Sequence, residues 1–224
     1  MMQGSARLQY LAALGIDSFM PRQARTPPNA QAAHEDWQAL QAEVAVCVKC
    51  ALHKTRTRTV FGVGNAHADW LVIGEAPGAE EDRQGEPFVG AAGKLLDAML
   101  QAIGLARTQN VFIANMLKCR PPGNRDPKPE ELSACLPYLV RQITYIRPKL
   151  ILAVGRIAAQ SLLATDVALA RLRGRVHEFG PFGTPLIVTY HPAYLLRSPG
   201  EKRKAWEDLK FARDYFKQNF LPAS

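Results

Sequence analysis

Residues 70–78 have the sequence WLVIGEAPG, in which an apolar run of strand length ends in a loop rich in glycine and proline. Residues 186–197, LIVTYHPAYLLR, repeat this design, because a second apolar run is followed by a loop that begins with His191. In a parallel sheet covered by helices, the loops at the carboxyl ends of the strands share one edge, and ligands bind there. The two loops are therefore expected to face one crevice, although they are far apart in sequence.

Segments with helical spacing alternate with apolar runs along most of the chain. Helices are predicted over residues 35–46, 91–103, 129–146, 156–163 and 201–220, and strands over residues 70–74, 110–117, 150–154 and 186–190. Strands separated by helices imply right-handed crossovers and a sheet with helices on both faces. The predicted fold class is α/β, a three-layer α/β/α sandwich with a central, mainly parallel four-stranded sheet. Pro137 is expected to bend or interrupt its helix.

Two regions are predicted, an N-terminal appendage (residues 1–33) and an α/β domain (residues 34–224). Apolar residues between positions 8 and 16 can line one face of a short helix. Residues 21–33 contain three prolines and no hydrophobic periodicity, which is typical of a linker. The appendage is either a docking peptide for a protein partner or a loose extension of its own domain.

The composition is that of an ordinary globular protein, with 47% apolar and 21% charged residues. No apolar run approaches the length needed to cross a bilayer, and the amino end has no signal-peptide core. A cytoplasmic monomer without a membrane partner is expected. The formal net charge of +8 favours a polyanionic partner such as nucleic acid, although a basic face exposed to water explains it equally well.

The chain contains four cysteines, namely Cys47, Cys50, Cys119 and Cys135. A cytosolic protein keeps its thiols reduced, so disulfides are not expected. Cys47 and Cys50 have two residues between them in a CVKC sequence and can present both thiolates to one metal centre. Four thiolates hold either a structural zinc or an iron–sulfur cluster, and one tight pair with two scattered ligands favours the cluster. The alternative is a set of buried, unligated thiols.

Taken together and in order, these motifs resemble those of the family 4 uracil-DNA glycosylases, the iron–sulfur branch of that superfamily. The similarity extends from about Cys47 to Trp206, and its components are the four cysteines, GEAPG at 74–78, PFVG at 87–90, Asn115 with KCRPPGNR at 118–125, and HPAYLLR at 191–197. The resemblance implies a DNA repair enzyme that flips uracil out of DNA, hydrolyses its N-glycosidic bond and leaves an abasic site. It also implies a structural [4Fe–4S] cluster on the four cysteines.

The resemblance suggests which side chains bind uracil. Phe88 resembles the phenylalanine that stacks on the base. Composition alone favours the alternative, a phenylalanine of the hydrophobic core. Asn115 can donate to O4 and accept from N3–H, a pattern that cytosine reverses; the alternative is an asparagine that caps the end of a strand. His191 can donate to O2, where negative charge develops as the bond breaks.

The loop after the first predicted strand, residues 75–78, is expected to contact the sugar and the attacking water. Glu75 is the nearest carboxylate that can stabilise a cationic sugar or orient the attacking water. Ala76 and Pro77 are expected to contact the substrate through the same loop. Ala76 stands where better-known branches of the superfamily carry a water-activating Asp or Asn, which leaves the residue that positions water open.

Four residues are candidates for contacts with the rest of the DNA. Arg120 and Arg125 lie near Cys119, where a cluster would fix them to meet phosphates. Leu195 can enter the duplex as an apolar wedge, and Arg197 can bind a phosphate. The alternative is that the two leucines, Leu195 and Leu196, pack against the final helix, and one of them is expected to do so.

Three rival functions remain at this stage. A relative that bonds covalently to uracil-DNA needs, in the resemblance, a histidine near the second predicted strand, and residues 118–128 contain none. A non-catalytic iron–sulfur module of a repair or polymerase complex would bind DNA without base loss. A redox carrier would use the cluster for electron transfer, but no flavin or nucleotide fingerprint accompanies it.

Overall fold

The structure is a computed structural model that describes residues 30–181 and 183–221. From His34 onward the described residues form one compact unit. Residues 1–29, most of the predicted appendage, lie outside the described residues, so a docking role for them stays a prediction. Within the described part of the chain, every helix is too short or too polar to span a membrane.

Helices and strands alternate along the described chain. The helices are α1 (Ala30–Ala45), α2 (Ala79–Gln84), α3 (Ala91–Gln101), α4 (Pro129–Ile146), α5 (Arg156–Leu162), α6 (Leu169–Leu172), α7 (Pro192–Arg197) and α8 (Lys202–Phe220). The strands are β1 (Val63–Gly64), β2 (Trp70–Gly74), β3 (Val111–Asn115), β4 (Leu150–Val154), β5 (His177–Phe179) and β6 (Thr184–Thr189).

The described strands form one sheet in the order β1-β3-β2-β4-β6-β5. The four strands predicted from the sequence, β2, β3, β4 and β6, are its parallel centre. Two antiparallel edge strands, β1 and β5, extend it from the predicted four strands to six. Their lengths of two and three residues are too short to produce a periodic apolar signal, which is why the pattern missed them.

Helices cover both faces of the sheet, so the predicted three-layer α/β/α sandwich is confirmed. On one face, Leu71 and Ile73 of β2 pack with apolar residues of α1, α4 and α5. On the other face, Trp70 and Val72 pack with α3 and α8. The central strands are buried on both sides, which explains why they appear in the sequence as continuous apolar runs rather than alternating ones.

The interruption predicted at Pro137 is wrong, because α4 continues through this residue from Pro129 to Ile146. Proline removes the hydrogen bond that would reach the carbonyl four residues earlier, at Ser133. Pro137 and Ser133 are both exposed, so water can bind the carbonyl that loses its donor.

Candidate active site

The carboxyl ends of the four parallel strands open onto one cleft with a volume of about 630 Å³. Glu75 follows β2, Asn115 ends β3, Gly155 follows β4 and Tyr190 follows β6, and all four line this cleft. The pocket residues predicted from the sequence also line it, namely Glu75, Ala76, Pro77, Phe88, Asn115 and His191. The two loops expected to share a crevice therefore do so.

Asn115 and Phe88 lie against the backbone of Gly74. The side chain of Asn115 is buried, at 2% exposure, and its Oδ1 has no hydrogen-bond partner within the described residues. A Cβ atom on residue 74 would lie 2.4 Å from this Oδ1 and 2.6 Å from Cζ of Phe88. Glycine at this position allows the carboxamide and the aromatic ring to approach the same stretch of backbone.

Phe88 is held in a strained conformation beside His191. Its φ of +55° lies in the left-handed region, which is costly for a bulky residue. Arg107 Nη1 and Nη2 donate to the carbonyl oxygens of Pro87 and Phe88 at 2.8 and 2.7 Å. A Cβ at Gly93 would lie 1.7 Å from the Phe88 carbonyl oxygen. These contacts fix the Phe88 ring with its centroid 5.6 Å from the imidazole centroid of His191.

The carboxylate of Glu81 joins the loop after β2 to the loop that carries Phe88. Oε2 accepts the backbone N–H of Gly78 at 3.1 Å, and Oε1 accepts those of Val89 and Gly90 at 3.0 and 3.2 Å. Sequence reasoning did not assign this role, although a Glu three residues after the N-cap of a helix is a known capping signal. No comparable sequence signal identifies Arg107, which acts on a loop twenty residues away.

His191 is neutral and its tautomer is fixed. The backbone N–H of Ala193 donates to Nδ1 at 3.1 Å, so this nitrogen carries no proton and the proton lies on Nε2. Burial, followed by the positive charge of Arg197, lowers the pKa of His191 to about 4. At neutral pH the ring therefore offers an Nε2–H donor without a full positive charge.

Glu75 titrates near neutral pH. Burial is the main cause that raises its pKa to about 7; the negative charge of Asp126 adds to the effect and the positive charge of Arg156 opposes it. The Leu117 N–H donates to the Glu75 carbonyl at 3.1 Å, which ties this loop to the segment after Asn115. A carboxyl group with such a pKa in a cleft is typical of a catalytic acid or base.

The structure corrects the predicted apolar wedge. Leu195 is 1% exposed and packs in the core that α3 and α8 share, so its assignment as a DNA contact is wrong. Because α7 is a helix, adjacent residues point in different directions, and Leu196 is the exposed leucine, at 44%. Leu195 is thus the leucine that packs against the domain, as the alternative reading allowed.

The three arginines predicted to contact DNA differ in whether their guanidinium groups already bind protein groups. Arg197 is exposed and lines the cleft. Arg125 also lines it, but both its Nη groups donate to the buried carboxylate of Glu131, at 2.9 and 2.6 Å. Arg120 Nε donates to Oδ1 of Asn124 at 2.7 Å. Arg197 therefore remains the best placed for a phosphate.

All four cysteines line one small cavity, together with Arg56 and Lys118. Arg56 Nη1 donates to Sγ of Cys119 at 3.3 Å, and the Lys118 backbone N–H donates to Sγ of Cys135 at the same distance. Burial raises the pKa of the Cys119 thiol to about 11. The sulfur atoms of Cys119 and Cys135 thus each accept a hydrogen bond, and the unligated Cys119 thiol is protonated at neutral pH.

Lys118 connects the cysteine cavity to the cleft. Its side chain is 2% exposed, and Nζ donates to the backbone carbonyl of Asn115 at 2.9 Å. Burial lowers the pKa of Lys118 to about 8. The charged form of this buried ammonium group is stabilised by negative charge on the nearby Cys119 and Cys135.

Comparison with known proteins agrees with this geometry. A model of the uracil DNA glycosylase superfamily matches residues 61–210, a span that contains the parallel strands and every predicted pocket residue. A type-4 uracil-DNA glycosylase of Archaeoglobus fulgidus is 49% identical over 174 residues, which cover 75% of this chain and 87% of that protein. Type-4 uracil-DNA glycosylases of Pyrobaculum aerophilum and Saccharolobus solfataricus are each 43% identical, cover 78% and 77% of this chain, and are themselves covered to 91% and 82%. The chain therefore belongs to the uracil DNA glycosylase superfamily, in its type-4 branch.

Proposed function

We propose that this protein removes uracil from DNA by hydrolysis of the N-glycosidic bond and leaves an abasic site. The observation that carries the proposal is the buried, unpartnered Oδ1 of Asn115, which lies in the same cleft as Phe88 and His191. A buried acceptor without a partner costs free energy unless a ligand supplies the donor. Uracil N3–H is such a donor.

Recognition of uracil follows from the carboxamide. Asn115 Oδ1 accepts from N3–H while Nδ2 donates to O4, and cytosine presents an acceptor and a donor at these two positions instead. Each mismatched buried group would cost about 1–3 kcal/mol. The Phe88 ring replaces the stacking that the base loses when it leaves the duplex, a contribution of about 1–3 kcal/mol.

Bond cleavage places negative charge on the uracil ring and positive character on the sugar. Nε2–H of His191 donates to O2, and because the pKa of His191 is about 4 the donor is a neutral imidazole across the physiological range. Glu75, which follows β2, lines the same cleft. In its ionised form it stabilises the cationic sugar and orients the attacking water, while Ala76 contributes only shape.

We propose that the four cysteines hold a [4Fe–4S] cluster. All four thiols line one small cavity, and one CVKC pair with two further ligands from distant parts of the chain favours a cubane over a zinc ion. When bound, the cluster supplies a rigid cross-link, and the donors from Arg56 and Lys118 offset the charge of its thiolates.

Basic residues outside the uracil pocket bind the DNA backbone. Arg197 at the edge of the cleft binds a phosphate of the uracil-containing strand, and the net charge of +8 attracts the DNA. Arg120 and Arg125 make weaker contributions, because each already has a partner in the protein. We place the enzyme in the cytoplasm, as a monomer in DNA repair.

Incubation with an oligonucleotide that contains one uracil, followed by alkali and a denaturing gel, tests the proposal. Strand cleavage at uracil and none at cytosine is the expected result, and Asn115→Ala should reduce cleavage strongly. Intact DNA after incubation would favour the non-catalytic binding module. A protein–DNA band that survives denaturation would favour a covalent adduct. His67→Ala is a control that should leave cleavage unchanged, since His67 is exposed and does not line the cleft.

A further inference from the structure

We propose that Tyr194 forms a stacking subsite for the nucleobase adjacent to the flipped uracil. This inference rests on the proposed function, because it concerns the DNA strand that carries the uracil. It adds a contact outside the uracil pocket itself.

Tyr190 contacts both Arg173 and Tyr194, and these three residues are called the column below. Tyr190 directly follows β6, and Tyr194 lies four residues later in α7, so that the two rings stack with centroids 5.2 Å apart at an angle of 25°. Both tyrosines line the cleft. The guanidinium carbon of Arg173 lies 4.4 Å from the centroid of Tyr190, a cation–π contact.

The column is anchored in the interior of the domain. Arg173 Nε and Nη2 donate to the carboxylate of Asp208 at 2.6 and 3.0 Å, and Nη2 also donates to the Lys204 carbonyl at 2.7 Å. Asp208 is 2% exposed and accepts a further hydrogen bond from Thr189 Oγ1 at 2.8 Å. Because these partners fix Arg173, the rings stacked beyond it lose little conformational entropy when a ligand binds.

The exposed end of the column has the chemistry of a single-strand binding surface. Tyr194 is 36% exposed, and the exposed Arg197 follows one turn later on the same short helix, in the same cleft. An aromatic ring that stacks a base beside a cation that meets the backbone is the usual arrangement for unpaired nucleotides. With uracil held by Phe88 and Asn115, the base within reach of Tyr194 is its neighbour on the strand.

Single-turnover excision, measured as a function of enzyme concentration, tests this subsite. For Tyr194→Ala, the half-saturating enzyme concentration should rise about 5- to 10-fold, the lower part of the range for loss of one base stack, while the maximal rate stays within about twofold. Tyr194→Phe keeps the ring and should behave as the parent protein does. Trp206→Ala is the matched control, because Trp206 is equally exposed, at 38%, but does not line the cleft.

The decisive measurement replaces the DNA base instead of the protein ring. An oligonucleotide with an abasic residue directly 5′ or 3′ of the uracil should bind the parent protein about 5- to 10-fold more weakly on one of the two sides. On that side, Tyr194→Ala should cause no further loss. An unchanged half-saturating concentration in Tyr194→Ala, or equal losses with normal and abasic neighbours on both sides, would overturn the subsite. Failure of the parent protein to release uracil from the unmodified strand would instead refute the proposed function.

Discussion

Glu75→Gln is expected to stabilise the folded protein at alkaline pH while it slows uracil excision. Burial raises the pKa of Glu75 from 4.5 to about 7, so the folded chain binds this proton more tightly than the unfolded chain does. Stability from this group is therefore present at low pH and is lost as pH rises through the range between the two pKa values. At about 1.4 kcal/mol per pH unit, the loss is at most about 3 kcal/mol at pH 8 and below about 1 kcal/mol at pH 5, and solvent in the open cleft screens part of it.

Urea unfolding at pH 5 and pH 8 measures this difference directly. The stability of Glu75→Gln minus that of the parent should grow by about 1–2 kcal/mol between the two pH values once solvent screening is included. His191, whose pKa of about 4 gives the opposite trend, is present in both proteins and cancels. Glu80→Gln is the control, because Glu80 is exposed and paired with Arg83 at 2.8 Å, so its removal should bring no gain at pH 8. A stability difference that does not change with pH would refute the argument that Glu75 is desolvated.

Three further predictions concern the groups around the cleft and the cysteines. His191→Ala should lower the maximal excision rate about 10²- to 10³-fold, the usual cost of losing a donor to developing negative charge, while affinity for uracil-DNA in a gel-shift assay stays nearly unchanged; equal loss of affinity would contradict this role. Arg107→Met should release the strained backbone of Phe88 and slow excision, and a double-mutant cycle with Phe88→Ala should be strongly non-additive; additive effects would mean that Arg107 acts elsewhere. Cys119→Ser should reduce the iron content and visible absorption of anaerobically purified protein and lower its thermal stability, whereas a fully stable, fully active and colourless variant would rule out a structural cluster.

The sequence predicts the parallel centre of the sheet and the shared crevice because both depend on local patterns. An apolar run followed by a loop, as at residues 70–78, identifies a buried strand and its functional end. The edge strands β1 and β5 escape prediction because they are too short to show a period. The sequence does not show which of the two adjacent leucines, Leu195 or Leu196, is available to contact DNA. Only the helical geometry of α7 determines that Leu195 faces the core.

The supports of the site could not be predicted, since they depend on contacts between distant segments. Nothing near Arg107 in the sequence indicates that its guanidinium binds the carbonyls beside Phe88. The neutral state of His191 depends on burial and on a hydrogen bond from Ala193, and neither is visible in composition or spacing. Residue types thus indicate the chemistry, whereas their protonation states and orientations come from the tertiary structure.

Three residues separate Asn115 from Cys119, and one of them, Lys118, donates from its ammonium group to the Asn115 carbonyl at 2.9 Å. Loss of the proposed cluster through oxidants or a shortage of iron would also affect Asn115, because the same short segment carries this carboxamide, the group proposed to recognise uracil. We expect protein assembled under iron starvation to lose activity on uracil-containing DNA, because the segment that positions the Asn115 carboxamide is no longer held at its other end; the uracil excision assay on protein of measured iron content checks this.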